Sequence, residues 1–101
     1  MALLFNTAIE LESGITVNDA YGRVGVADNI EGTELQQIVE VFASEQAFID
    51  GKKPMQLPAE VITTLTSAYD RATDGSDVLA LAHANLQAAM ADYGYTTTIS
   101  L

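Results

Sequence analysis

Fourteen Asp and Glu side chains set against four Lys and Arg are the first place to look for chemistry, since paired carboxylates do acid–base work and clustered ones hold cations. The tightest grouping is Asp70, Asp74 and Asp77, with Gly75 among them. Counted as a calcium loop from Asp70, the third position is Ala72 and the twelfth is Leu81, where a bidentate Glu is required. The grouping therefore reads as a capped helix start with solvated acids. His83 is the sole histidine and the chain has no cysteine, so a zinc site, which needs several such ligands, has no basis. A general base at His83 has no partner in the sequence, and the residue reads as a packed or half-exposed helix histidine. Gly22-Arg23-Val24-Gly25 has a G-x-x-G spacing but lies in a strand-like strip and lacks the lysine and following helix of a phosphate cradle. Ser13 and Ser44 have no nucleophile-elbow context. No residue is assigned as catalytic, cofactor-binding or metal-ligating, no cofactor is expected, and the chain is expected not to be an enzyme.

The charge balance narrows the partners. A formal charge of −10 repels nucleic-acid phosphates and anionic lipid surfaces, and Arg23, Lys52, Lys53 and Arg71 form no basic patch in the sequence. Lys52-Lys53 reads as a solvated hairpin end. With 49% apolar residues the chain is too hydrophobic for a disordered acidic tail. The absence of cysteine excludes disulfides and thiolate metal sites. Met-Ala-Leu-Leu-Phe-Asn has no positive n-region, which argues against a secretory signal. No apolar run is long enough to cross a bilayer, so neither nucleic acid nor membrane is expected as a partner. A single domain spanning residues 1–101, made in the cytoplasm and soluble, is the expectation.

The elements follow from periodicity. From Ala2 to Glu12, Leu3, Phe5, Ile9 and Leu11 alternate with polar residues as in a half-buried strand, and Ser13-Gly14 supplies a turn. An irregular strip from Ile15 to Asn18 leads into a strand from Ala20 to Ala27, where Gly22 and Gly25 signal a bulge or a close backbone approach. Residues 28–33 form a polar hairpin loop. In Glu34–Ala43, Leu35, Val39 and Val41 share one face and Ile38 and Phe42 the other, which predicts a central strand covered on both sides. Ser44 caps a single helical turn through Ile49, and Gly51 ends it. Met55–Leu57 is expected as a short edge strand. Residues 59–68 carry helical spacing after Pro58 together with a β-branched run, Val61 to Thr66, that favours a strand.

Thr73 to Ser76 is read as a loop, with Ser76 capping the chain's best helix, Asp77 to Tyr93. Leu79, Ala82, Leu86, Ala89, Met90 and Tyr93 trace its apolar stripe, and Gly94 stops it. Tyr95 to Leu101 is a last strand or an extended arm. The fold class expected is α+β: a mostly antiparallel sheet of four to five strands with one long C-terminal helix packed on it. Ala80, Ala82, Ala84, Ala88, Ala89 and Ala91 suit a helix for propensity alone, and they also leave room for a subunit contact. Tyr69, Tyr93 and Tyr95 fit either core edges or interface anchors.

Ala20-Tyr21 with Arg23-Val24, then Val39-Glu40-Val41-Phe42-Ala43-Ser44 with Ala47, then Asp50-Gly51-Lys52 and Pro54-Met55 occur in a familiar order. The order resembles small proteins encoded among the tail, baseplate and fibre genes of tailed bacteriophages and prophages, with their A-Y-x-R-[IV] strip, V-x-[VI]-[YF]-x-S strand and G-K-x-P-[LM] exit. The ending Gly94-Tyr95-Thr96-Thr97-Thr98 departs from the Leu-Pro-Glu-Phe type found there. The resemblance implies a structural virion component, in the tail, baseplate or fibre-attachment region. Such a component is made in the host cytoplasm and acts through contacts with other virion proteins and with copies of itself as a homo-oligomer. The charge alone suggests an alternative, an acidic soluble binding module or inhibitor, a class that includes DNA mimics.

Overall fold

The computed structural model describes residues 2–74 and 77–100. In chain order it contains β1 (Ala2–Phe5), β2 (Ile9–Glu10), β3 (Thr16–Val17), β4 (Tyr21–Asp28), β5 (Glu34–Phe42), α1 (Glu45–Ile49), β6 (Thr64–Ala68), α2 (Arg71–Asp74), α3 (Val78–Ala91) and β7 (Thr97–Ser100). Five strands lie side by side as β6-β5-β4-β1-β7, antiparallel throughout, while β2 and β3 form a separate two-stranded ribbon. The architecture is α+β, with α3 packed on one face of the sheet; at 14 residues α3 is shorter than the Asp77–Tyr93 span read from periodicity.

Strand alternation decides which side of the sheet is dry. Leu35, Gln37, Val39 and Val41 of β5 are buried on the helix side, beside Leu3, Phe5 and Gly22. They meet Ala82, Leu86 and Met90, spaced four apart along one line of α3, and His83, three residues before Leu86 on the same face. Leu3, Ile9 and Leu86 are fully sealed, and each such side chain contributes about 1.5–3 kcal/mol relative to exposure. The opposite face is covered only at one end. There Phe48 of α1 packs on Tyr21 and Phe42, with ring centroids 5.6 and 5.1 Å away, and Arg23 lies 4.8 Å over the Phe48 ring. Further along this face Gln36, Ile38 and Glu40 are exposed, so β5 is internal in the sheet but dry on one side, not two.

The connections use local polar chemistry. Asn29 Oδ1 accepts from the amides of Thr33 at 2.8 Å and Glu34 at 3.1 Å, closing the β4–β5 hairpin. Gly32, at φ 69°, sits against Arg71, whose Nε donates to Asp28 at 2.8 Å and whose Nη2 donates to Asn29 O at 2.7 Å. The hydrogen bond to Asp28, and then the Asp28 charge, pushes the Arg71 guanidinium further up from its ordinary pKa. Ser44 Oγ accepts from Ala47 N at 3.0 Å as the N-cap of α1, and Gly51 follows in the left-handed region at φ 75°.

Several boundaries differ from the sequence reading for physical reasons. The expected first strand, Ala2 to Glu12, breaks into β1 and β2, because Asn6 N turns to Thr96 O and Thr7 Oγ1 accepts from Thr96 N. Met55–Leu57, flanked by Pro54 and Pro58, makes a single bond to β5, Met55 N to Val41 O, and is not a strand. Of residues 59–68 only Thr64–Ala68 pair as a strand; Val61 N is held in a turn by Pro58 O. Thr73 and Asp74 fall in the short α2 and not in a loop. Gly75 and the Ser76 cap lie outside the described residues; the residue before α3 is Asp77, whose side chain makes no capping bond. Tyr93 lies beyond the helix end, and Gly94, at φ 84°, turns the chain as expected.

Candidate functional site

The residues that could do chemistry are kept apart. His83 is 2% exposed within the α3–sheet interface, and its Nδ1 lies 2.6 Å from the Leu79 carbonyl one turn back. A carbonyl can only accept, so that contact places a proton on Nδ1, while Nε2 finds no hydrogen-bond partner among the described residues. The imidazole is packed between α3 and the sheet, and among the described residues no carboxylate is bonded to it. Among the described residues no three His, Asp or Glu side chains converge as a cation site. Every described carboxylate is on an exposed residue. Glu10, Glu12 and Glu60 share one open hollow, but Glu12 Oε1 already accepts from Ala59 N at 3.0 Å.

Gly22 and Gly25, read together in the sequence, do different things. A Cβ on Gly22 would lie 3.1 Å from Val39 Cγ2 and 3.3 Å from both Leu3 Cβ and Leu3 O, so this is a close approach; β4 and β5 pair through it without a bulge. Gly25 has nothing within 4 Å of that position and lies on the outer face opposite Ile38. Ser44 is consumed by capping α1, and Ser13 is exposed beside the turn at Gly14. Lys52 and Lys53 are exposed after α1.

A residue that periodicity passed over is Gln37, fully buried on the helix side of β5. Its Nε2 donates to Leu35 O at 2.8 Å, Ser67 Oγ at 3.0 Å and Leu65 O at 3.2 Å, and its Oε1 accepts from Asn85 Nδ2 at 2.9 Å. The group joins three elements, β5, β6 and α3. Its only sequence signal is a glutamine inside an inward-facing alternation.

What the surface offers is apolar contact area. Ile38, 41% exposed, stands in a cross-strand row with Gly25 and Thr64, and the next row holds Ala27, Gln36 and Thr66. These side chains are small or uncharged, which leaves a flat strip between the Arg23–Glu40 row and the β4–β5 hairpin. Ile49 and Ile62 are exposed at 63% and 60%, on α1 and just before β6. Of the alanines on α3, Ala82 is buried against the sheet while Ala80, Ala84, Ala88 and Ala91 face outward. Leu79 points along the buried line yet is 48% exposed, which places the first turn of α3 beyond the cover of the sheet. Among the described residues no helix is long and apolar enough to cross a membrane. No family model, no curated protein and no solved structure matches this chain.

Proposed function

We propose that the chain is a non-enzymatic structural subunit of a tailed-bacteriophage virion, in the tail, baseplate or fibre-attachment region, working through contacts with other virion proteins and with copies of itself. The observation that carries this reading is the sheet face opposite α3. It is bare over the middle of β4 and β5, and Ile38 is exposed among glycine, alanine and threonine where a second layer would ordinarily lie. The A-Y-x-R-V and V-E-V-F-A-S strips supply the phage context, and they include the Tyr21 and Phe42 that α1 clamps. Mass spectrometry of purified particles from a producing strain tests it: peptides of this chain at many copies per particle are expected. Their absence from particles while the chain is present in the lysate overturns it.

An acidic decoy of DNA is the second reading, favoured by the exposure of every described carboxylate. Its signature is binding to a basic partner that weakens steeply with salt.

A further inference from the structure

One edge of the five-stranded sheet is β6. Val39 N donates to Thr63 O at 2.9 Å, Tyr69 N donates to Thr33 O at 3.0 Å, and Leu65 stands opposite Gln37. Backbone groups alternate sides along an antiparallel strand, so those of Thr63, Leu65, Ser67 and Tyr69 face β5. Those of Thr64, Thr66 and Ala68 face away from the sheet, and all three residues are exposed. Edge strands of proteins that stay apart are blunted by lysine, proline, bulges or inward charges. None of these is present here: Val61 to Tyr69, V-I-T-T-L-T-S-A-Y, contains no charge, no proline and no glycine. In a chain of net charge −10, such a strip is where a like-charged copy approaches at least electrostatic cost.

The helix side of this edge carries a hollow of about 180 Å³ lined by Ile62, Leu65, Ala89, Asp92 and Tyr93. The Tyr93 hydroxyl accepts from Ile62 N at 3.1 Å and holds one wall in place. Ala89, with only a methyl group, leaves the hollow open. The opposite edge, β7, is treated differently. Asn6 N bonds Thr96 O on the β1 side, so the Thr97 carbonyl faces outward, and Gln87 Nε2 reaches from α3 to occupy it at 2.9 Å.

We propose that β6 is a strand-addition edge whose occupant is β6 of a second copy of this chain, antiparallel about a two-fold axis at Leu65. That register sets Thr64 against Thr66 of the second copy, so their outward N–H and C=O groups exchange hydrogen bonds and their β-branched side chains pair on the outer face. On the helix side the two Leu65 side chains meet, the two hollows merge, and Ile62 leaves water. A two-fold contact needs only one self-complementary patch, which this edge provides. The inference rests on the assembly reading above and names its partner and surface.

Sedimentation equilibrium of the purified chain tests it, with a reversible dimer expected that tightens as salt screens the like charge. Thr66→Pro removes an outward N–H while the β5 ladder runs through Leu65 and Ser67, so the fold tolerates it as an edge proline. It is expected to raise the dimer Kd about tenfold or more and to leave unchanged the unfolding midpoint measured at concentrations where the parent is monomeric. In the unmodified chain, amide exchange at Thr64 and Thr66 is expected to slow with protein concentration while the β4 amides do not respond. A monomer up to the millimolar range, a folded Thr66→Pro that dimerises like the parent, or concentration-independent exchange at Thr64 and Thr66 overturns the proposal. If Thr66→Pro fails to fold, the exchange measurement decides. Particle content answers for the virion reading separately: a chain found in particles whose Thr66 exchange ignores concentration sinks the edge contact alone.

Discussion

At the scale of single residues, the two glycines of β4 show how one sequence signal divides into two physical cases. Gly22 faces the core with a backbone carbonyl and two side chains closing on its missing Cβ, whereas Gly25 faces open space. Gly22→Ala is expected to destabilise by about 1–3 kcal/mol through overpacking, because the Leu3 carbonyl is part of the ladder and cannot step aside. Gly25→Ala is expected to be neutral or to stabilise by up to about 1 kcal/mol, since it stiffens the unfolded chain without meeting a neighbour. Chemical denaturation of both variants checks the pair, and equal effects contradict it. A close approach or a bulge was legible from Gly-x-x-Gly; which glycine made the approach was not, because it depends on β1 lying beside β4. Gln37 was less legible still. A glutamine in an alternating strand is ordinarily placed outside, and its burial becomes reasonable only once Ser67 and Asn85, 30 and 48 residues away, supply partners.

At the scale of elements, Gln37 and Asn85 form a polar tie between β5 and α3. Gln37→Leu strands the Asn85 amide and removes the bond to Ser67, which is expected to cost about 1–3 kcal/mol. Gln37→Leu with Asn85→Leu removes both partners and is expected to recover part of that loss. The double-mutant cycle in urea measures the coupling, and strict additivity rules out the tie. Elements with strong local signals were readable: the Ser44 cap, the stop at Gly94, the hairpin at residues 28–33 and the α3 stripe from Ala82 to Met90. Elements defined by distant pairing were not. The β-branched run from Val61 is half turn and half strand because β5 offers it a regular ladder only from Thr64 onward. Met55–Leu57 failed as a strand because two prolines leave too few donors. His83 took the packed one of the two places its sequence reading left open, with one ring nitrogen satisfied inside its own helix.

At the scale of the whole molecule, α+β and the helix-on-sheet arrangement followed from the period change between the first two-thirds of the chain and α3. Strand order did not, because the pairing of β1 with β7 leaves no mark in local composition. The candidate surfaces were equally silent, since an edge strand and an internal strand read alike until their neighbours are placed. In the sequence the alanines of α3 and Tyr69, Tyr93 and Tyr95 fitted core and interface alike; in the fold Tyr69 is buried and Tyr93 and Tyr95 are half-buried. A chain ended after residue 74 keeps β4, β5 and β6 but loses the layer that dries their inner face. It is expected to show poor amide dispersion and to bind a hydrophobic dye, whereas a native-like spectrum removes α3 from its role as the essential lid. The pairing of Leu3 with Ile99 also sets an order of events. During translation β1 can zip onto β4 early, but its other flank and the greasy inner side of Leu3 and Phe5 stay open until α3 and β7 have been made. Between those two events the segment Ala2–Phe5 is an uncharged, half-paired edge, open to a wrong mate before the right one arrives.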